Sequence, residues 1–279
     1  MTDALPILPP EDPQMEIHKP KSIHNWREFL KEYAIIVLGV ATALAGEQAV
    51  EWVHWQSEVA QAKDVIATEL VSNVTGAIDR VRTKSCAERR LAELALILDQ
   101  ATKTGALPAV GDISLPPRTL LPRGAWESVV ASQAATHFPR RQLAGLTTSY
   151  KLIERLEMFS LPEMAAWHSV YAMVGPGRRL DPASEADLRQ ALSQSLAYSR
   201  VSASLSMQVI TSVKDHHLRF AREDLERIAA AEHRDLNQYA ICRPIGAPPP
   251  SYGQAYTTPT ILAVDAFAQN LPEFSEGAR

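Results

Sequence analysis

The sequence predicts an all-α protein, in which a single N-terminal transmembrane helix continues into an extramembrane helical bundle of about four long helices. Aromatic residues make up only 6% of the chain, whereas alanine and leucine are frequent. This composition favours helices over a β-sandwich or barrel. Most of the 19 prolines cluster at the N-terminus, at 108–123 and at 244–272. Because proline interrupts a helix interior, the long blocks between these clusters are where long helices are expected.

The stretch Tyr33–Trp55 is the predicted membrane span. Its central part, Ala34–Gly46, carries neither charge nor proline, although a run this short also suits a buried helix of a soluble core. Tyr33 and Trp52 lie roughly 28 Å apart along a helix that rises about 1.5 Å per residue, close to the thickness of the hydrocarbon layer. Aromatic rings at both ends are typical of residues in the two headgroup layers, and this favours the membrane.

Basic residues are distributed unevenly about the span. Only Lys63 follows it before residue 80, whereas four basic residues precede it: Lys19, Lys21, Arg27 and Lys31. The positive-inside rule therefore predicts a cytoplasmic N-terminus, with the main domain on the opposite side of the membrane.

Small residues recur on one stripe of the span, at Gly39, Ala43 and Gly46. Such residues let two helix backbones approach closely in lipid, so the stripe predicts a helix–helix contact. Glu47 follows near the outer end, where an unpaired carboxylate is costly. It is interpreted either as solvated at the interface or as part of the same contact.

The triplet 43–45, Ala-Leu-Ala, resembles a signal-peptidase site that follows an apolar core. The preceding segment is long for a signal peptide and contains Glu28 and Glu32. The helical pattern also continues past the triplet without interruption. We therefore expect an uncleaved anchor.

Three segments resemble an uncharacterised family of bacterial single-pass membrane proteins. They are NWREFLKEYAIIVLGVATALAGEQAVEWVHW, GAWESVVASQAATHFPR and YAMVGPGRRLDPASEADLRQALS, and as separate patches they span most of the range from residue 22 to residue 200. The family has no assigned activity, cofactor or catalytic residues, so the resemblance implies a membrane-anchored helical protein and nothing about chemistry. Together with the charge asymmetry, it predicts a bacterial inner-membrane protein with a periplasmic main domain.

The chain divides into four predicted parts. They are a disordered cytoplasmic tail over 1–21, a transmembrane anchor over 22–55, a helical extramembrane domain over 56–242 and a proline-rich C-terminal tail over 243–279. Within the domain, 105–123 is a long loop by composition, and loops of this length are often functional. A helix is predicted to begin at Pro182, because Asp181 can cap it and proline suits the first helical position. It is expected to reach about Asp235, and six apolar residues predict its buried face: Leu188, Leu192, Leu196, Val201, Leu205 and Val209.

The two cysteines, Cys86 and Cys242, have two interpretations. In a cytoplasmic protein they would be unrelated buried thiols. If the domain lies outside the membrane, they predict one disulfide that closes a loop of about 155 residues. In the chain-entropy model such a crosslink contributes about 4–5 kcal/mol.

No sequence motif identifies a chemistry. The chain lacks a Gly-rich phosphate loop, a paired-cysteine zinc pattern and a nucleophile elbow, and its eight histidines form no metal pattern. No metal site and no cofactor are therefore predicted. The best ligand-binding candidates are Trp126, His137 and Arg178, on the hypothesis that they line a pocket between helices. Trp126 has a structural alternative, in which its ring is simply buried under the long loop.

The leading functional hypothesis is a membrane-anchored interaction or scaffold protein of unknown process, self-associating or bound to a protein partner and in contact with membrane lipid. The alternatives are a periplasmic ligand-sensing domain that acts through a partner, and an enzyme of unrecognised type, which is the less favoured. The net charge of −4 gives no electrostatic case for nucleic acid.

Overall fold

The computed structural model describes residues 26–118, 120–215 and 219–246. The predicted tail over 1–21 and nearly all of the predicted tail over 243–279 lie outside them. Among these residues there are six α-helices and one pair of two-residue strands. The helices are α1 (Trp26–Arg82), α2 (Lys84–Thr104), α3 (Gly124–Ala131), α4 (Arg140–Val170), α5 (Pro182–Lys214) and α6 (Arg222–Glu232). Strand β1 (Ala106–Leu107) pairs antiparallel with β2 (Arg178–Arg179).

The all-α prediction is confirmed. Four helices are long, with 57 residues in α1, 21 in α2, 31 in α4 and 33 in α5. Helix α1 begins in the apolar N-terminal stretch and leads into the helical body without a break, passing through Gly76. The chain divides into two compact units between His54 and Trp55.

The described part of the first unit is helical throughout and exposed at every residue. Trp26 stacks on Phe29 at 5.7 Å between ring centroids, and Phe29 stacks on Tyr33 at 6.1 Å. Helix α1 is the one described helix that is long and apolar enough to cross a membrane, and none of the apolar window is buried within the chain. The prediction of a candidate span near the N-terminus is therefore confirmed in terms of length and composition.

The second unit contains two separate hydrophobic clusters. The first core draws on α1, α3, α4, α5 and α6, with Ile66, Leu70, Leu146, Ile153 and Val209 among its fully buried side chains. The second core draws on α2, on the C-terminal part of α4, on the N-terminal part of α5 and on the loops. Its buried members include Leu94, Leu98, Ile113, Trp167 and Met173.

Six buried polar residues, one of them on α1, lie where α4 and α5 pass between the two cores. Along α4, Glu163 lies between Leu156 of the first core and Trp167 of the second. Along α5, four buried serines lie between Leu192 of the second core and Val209 of the first. We call this set the polar layer: Arg80, Glu163, Ser195, Ser199, Ser202 and Ser206.

A disulfide joins α2 to the C-terminal part of the domain. Cys86 and Cys242 are bonded, with 4.7 Å between their Cα atoms, which confirms the predicted pair. The segment 232–243, which we call the clasp, is also held by side chains of α1. Arg82 donates to the carbonyl oxygens of Glu232 and Arg234, and Asp79 accepts from Arg234 and Tyr239. The clasp therefore closes over the junction between α1 and α2.

Two local predictions for α5 were wrong. The helix ends at Lys214 instead of reaching Asp235, and α6 follows as a separate helix. The polar run 214–217, Lys-Asp-His-His, supplies no apolar side chain that could pack on a core. Val201 is exposed, whereas its neighbour Ser202 is buried. The buried face of α5 therefore turns polar at its middle, because it packs there against Glu163.

Candidate functional site

A cavity of about 110 Å³ lies among α1, α4 and α5, and a proline-containing loop forms one of its walls. We call this segment the proline loop, residues 115–118 with 120–121. Helix α1 contributes Gly76 and Arg80, and α4 contributes the stretch from Leu156 to Trp167. The full lining is Gly76, Arg80, Leu115, Pro116, Pro117, Arg118, Leu121, Leu156, Ser160, Glu163, Met164, Trp167, Ser202 and Ser206.

The polar end of the cavity is built around an ion pair between Arg80 and Glu163, each with about a tenth of its side chain exposed. Ser199 donates to one oxygen of the Glu163 carboxylate at 2.9 Å and Ser202 to the other at 2.7 Å. The indole N–H of Trp167 donates in turn to Ser199 at 3.2 Å. The carboxylate is therefore held by three side chains that approach it from two helices.

Burial lowers the pKa of Arg80 from its usual 12.5 to about 10, so the guanidinium remains a cation at neutral pH. Removing two charges from water is costly, and a buried ion pair seldom stabilises a fold more than well-packed apolar residues would. A desolvated charge pair that lines a cavity is instead a common feature of binding and catalytic sites.

Ser206 adds a second unusual feature. Ser206 is fully buried, and its hydroxyl oxygen has no hydrogen-bond partner among the described residues. An unpartnered buried hydroxyl costs free energy, because its bonds to water are lost and not replaced. Ser206 is also one of the residues that line the cavity.

The proline loop is fixed at both of its ends. At the start, Asp112 accepts from the Ser114 backbone at 3.0 Å and from the Tyr171 hydroxyl at 2.5 Å. At the end, Asn73 donates to the carbonyl oxygen of Pro122 at 2.9 Å.

Beyond the end of the proline loop, a carboxylate from α1 holds the first turn of α3. Glu69 accepts from the backbone N–H groups of Ala125 at 2.7 Å and Trp126 at 3.2 Å. The Tyr150 hydroxyl donates to the same carboxylate at 2.7 Å. These bonds fix the position from which the chain returns to the first core.

Between these anchors, the described part of the loop makes a single recorded hydrogen bond, from Arg118 to the sulfur of Met164 at 3.7 Å. A thioether is a weak acceptor. The described part of the loop therefore lies against the cavity mainly through apolar contacts.

The three residues predicted to share a ligand pocket lie in three different surroundings. Trp126 stacks on Tyr150 with 5.0 Å between ring centroids, at the edge of the first core. His137 stacks on Trp55 at 3.8 Å. Arg178 lies in β2 and donates to the carbonyl oxygens of Ala172 and Pro176. None of the contacts recorded among the described residues joins these three, and none of the three lines the cavity.

Arg178 does line a second, open and polar groove of about 780 Å³, together with Arg179, Asp181 and Gln194. Asp181 is used there as the cap of α5, accepting from the backbone of Ala183 and Ser184 at 3.0 Å each. No group of three histidine, cysteine or acidic residues that could hold a metal ion occurs in the described ranges.

The residues proposed for a helix–helix contact are exposed on α1. Gly39, Ala43, Gly46 and Glu47 are all open to the surroundings. A Cβ atom added at Gly39 or Gly46 would meet nothing within 4 Å. Among the described residues, nothing packs against either glycine on this face.

Sequence reasoning missed the polar layer, although α5 carries a signal of it. Ser195, Ser199, Ser202 and Ser206 recur at spacings of four, three and four, which places them on one face of a helix. Apolar residues precede and follow them on that same face. A serine run within an otherwise buried face is a sign of buried polar partners on another helix.

These features define an all-α protein with one helix able to cross a membrane and a small cavity that has a charged and hydroxylic end. No family model, curated protein or solved structure matches the chain.

Proposed function

We propose that this is a membrane-anchored ligand-binding protein, whose helical domain takes a small amphipathic molecule into the cavity beside the proline loop. This develops the ligand-sensing hypothesis drawn from the sequence. The observation that carries it is the combination of an apolar cavity with a desolvated ion pair, Arg80 and Glu163, and an unpartnered hydroxyl on Ser206. Ligand sites typically combine a mostly apolar lining with a few placed polar groups in this way.

Binding is favoured over catalysis by the state of the Glu163 carboxylate. A general base must be placed to take a proton from a substrate. Both oxygens of Glu163 already accept hydrogen bonds from the protein's own side chains. The pair therefore serves better as a fixed polar surface than as an acid–base group.

A cavity-filling substitution tests this function. Ser160 lines the cavity, and its hydroxyl donates to a carbonyl of its own helix, that of Glu157, at 2.8 Å. Ser160→Leu should fill the cavity and abolish binding. Thr147→Leu is the matched control, because Thr147 is an exposed residue of the same helix that bonds Leu143 in the same manner.

The full-length protein would be reconstituted in nanodiscs of zwitterionic lipid and screened by ligand-observed NMR against small aromatic and branched aliphatic molecules. We expect saturation-transfer signals that disappear in Ser160→Leu and persist in Thr147→Leu. If no compound gives a signal that depends on Ser160, the proposed ligand-binding function is wrong.

We further propose a bacterial inner-membrane location, with the N-terminus in the cytoplasm and the domain in the periplasm. The charge asymmetry about the span supports this orientation. So does the Cys86–Cys242 disulfide, since disulfides persist in oxidising compartments. Alkaline phosphatase fused to the C-terminus should be active in intact cells; an inactive fusion that is expressed at the same level would reverse the topology.

Self-association through the anchor is the second candidate function. It is favoured by the exposed stripe of Gly39, Ala43 and Gly46, beside which Glu47 would gain a partner. Gly39→Leu should weaken cross-linking between copies in intact membranes. Val37→Leu, at an exposed position of the same helix, is the control. Equal cross-linking in both variants would exclude this face.

A further inference from the structure

The charges that line the cavity do not cancel. Three charged side chains are present, and Arg80 and Glu163 neutralise each other as an ion pair. Arg118 remains, an exposed residue of the proline loop whose recorded partner among the described residues is the uncharged sulfur of Met164. The cavity lining therefore carries one uncompensated positive charge, and it lies on an exposed side chain.

The remaining lining is apolar and small. Leu115, Pro116, Pro117 and Leu121 come from the loop side, and Leu156 and Trp167 from α4. An apolar cavity of about 150 Å³ is large enough to hold benzene. The present cavity, at about 110 Å³ and open at one side, therefore suits a body no larger than one ring or a short branched chain.

From the charge and the size of this lining we infer that the ligand is a small monocarboxylate with a compact apolar body, and that Arg118 recognises its charge. The inference rests on the proposed ligand-binding function and adds the chemical class of the ligand. The carboxylate lies at the rim, where Arg118 can donate two parallel hydrogen bonds and water still solvates the charge. The apolar body enters the cavity, where the deeper charge pair is already neutral.

Three probes of equal ring size and different charge test this assignment: benzoate, benzyl alcohol and benzylamine. They would be titrated into the full-length protein in nanodiscs of zwitterionic lipid, and the part of the binding that Ser160→Leu abolishes would be measured. Benzoate should bind at least about tenfold more tightly than benzyl alcohol, because a charge-assisted bond is roughly twice as strong as a neutral one. Benzylamine should bind most weakly.

The variant Arg118→Gln should reduce benzoate binding to the level of benzyl alcohol and leave benzyl alcohol unchanged. Arg140→Gln, at an exposed arginine outside the cavity, should alter neither. Raising the salt concentration should weaken benzoate binding alone, because Arg118 is exposed and its charge is screened.

The possible failures are distinguishable. If benzoate and benzyl alcohol bind equally, and Arg118→Gln changes neither, the carboxylate assignment is wrong while the ligand-binding function stands. If benzylamine binds best, the sign of the charge is wrong. If no probe and no member of the wider screen binds in a manner that depends on Ser160, both proposals fail together.

Discussion

The two hydrophobic cores of the domain are held together in different ways. The first core, built on α1, α3, α4, α5 and α6, depends on apolar packing between long helices. The second core is smaller and draws much of its surface from loops. It is crosslinked by Cys86–Cys242 and by Arg90, a buried side chain that donates to the carbonyl oxygens of Ile113 and Arg243.

The difference follows from how much apolar surface each region can bury. Long amphipathic helices supply a continuous buried face, so the first core needs no covalent support. Loop segments bury less apolar surface and carry backbone groups that need partners, so small cores are commonly reinforced by disulfides. In the second core, Arg90 supplies hydrogen bonds to loop carbonyl groups, and the disulfide reduces the conformational entropy of the unfolded chain.

The largest effect should come from removing the disulfide. Cys242→Ser opens a loop with a sequence separation of 156 residues, and we expect a loss of about 4–5 kcal/mol in the chain-entropy model. Hydrogen exchange should show the amides around Leu94 and Leu98 losing protection before those around Leu70. The double variant Cys86→Ser/Cys242→Ser should lose no more than the single one, because both remove the same crosslink. Equal loss of protection in the two cores would contradict this difference between them.

The polar layer between the cores should be the next most sensitive region. Glu163→Leu leaves the Arg80 guanidinium buried without its carboxylate, which costs about 3–5 kcal/mol. The double variant Arg80→Met/Glu163→Leu removes both charges and should recover most of that loss in thermal unfolding. If the double variant is as unstable as the single one, the ion pair is a net stabiliser and the layer is structural.

A smaller effect of the opposite sign is expected at Ser206. Ser206→Ala removes a buried hydroxyl without a partner, so it should raise the free energy of unfolding by about 1 kcal/mol. Ser202→Ala is the control, because Ser202 donates to Glu163 at 2.7 Å and its loss should destabilise. A destabilised Ser206→Ala would mean that the hydroxyl has a partner in solution.

Part of the first core follows a pattern that is visible in the sequence, and the crosslink of the second core was one of the two interpretations of its cysteines. Leu146, Tyr150, Ile153 and Leu156 recur at spacings of three and four, and all four are buried in α4. Proline placement is a weaker guide to where helices end, because α4 continues through Pro162. Proline removes one backbone hydrogen bond, and the packing of both flanking turns on the cores outweighs that loss.

The cavity could not be located from the sequence alone. Its ion pair joins residues 83 positions apart, and spacing along one helix carries no information about a partner on another. The proposed pocket of Trp126, His137 and Arg178 was chosen by residue type. Trp126 and His137 each stack on a ring, and Arg178 donates to backbone carbonyls. Each of the three therefore contacts residues outside the predicted pocket.

The smallest effect is expected at Asp181, which caps the N-terminus of α5 near the second core. The pKa of Asp181 is lowered, chiefly by the hydrogen bond from the Ser184 hydroxyl and then by the backbone N–H of Ser184. A carboxyl group whose pKa falls on folding stabilises the fold above its ordinary pKa of 3.8, and this contribution is lost as the pH falls through the lowered, folded-state value.

Asp181→Asn keeps an equally good helix cap but cannot titrate. The wild type should therefore lose more thermal stability than Asp181→Asn as the pH falls below about 4, the ordinary range of an aspartate. The two should have similar stability at pH 7. Asp187→Asn, further along the same helix, is the control and should follow the wild type. If the Asp181→Asn and wild-type curves run parallel at low pH, the charge on Asp181 contributes nothing, and capping at this end of the second core depends on hydrogen-bond geometry alone.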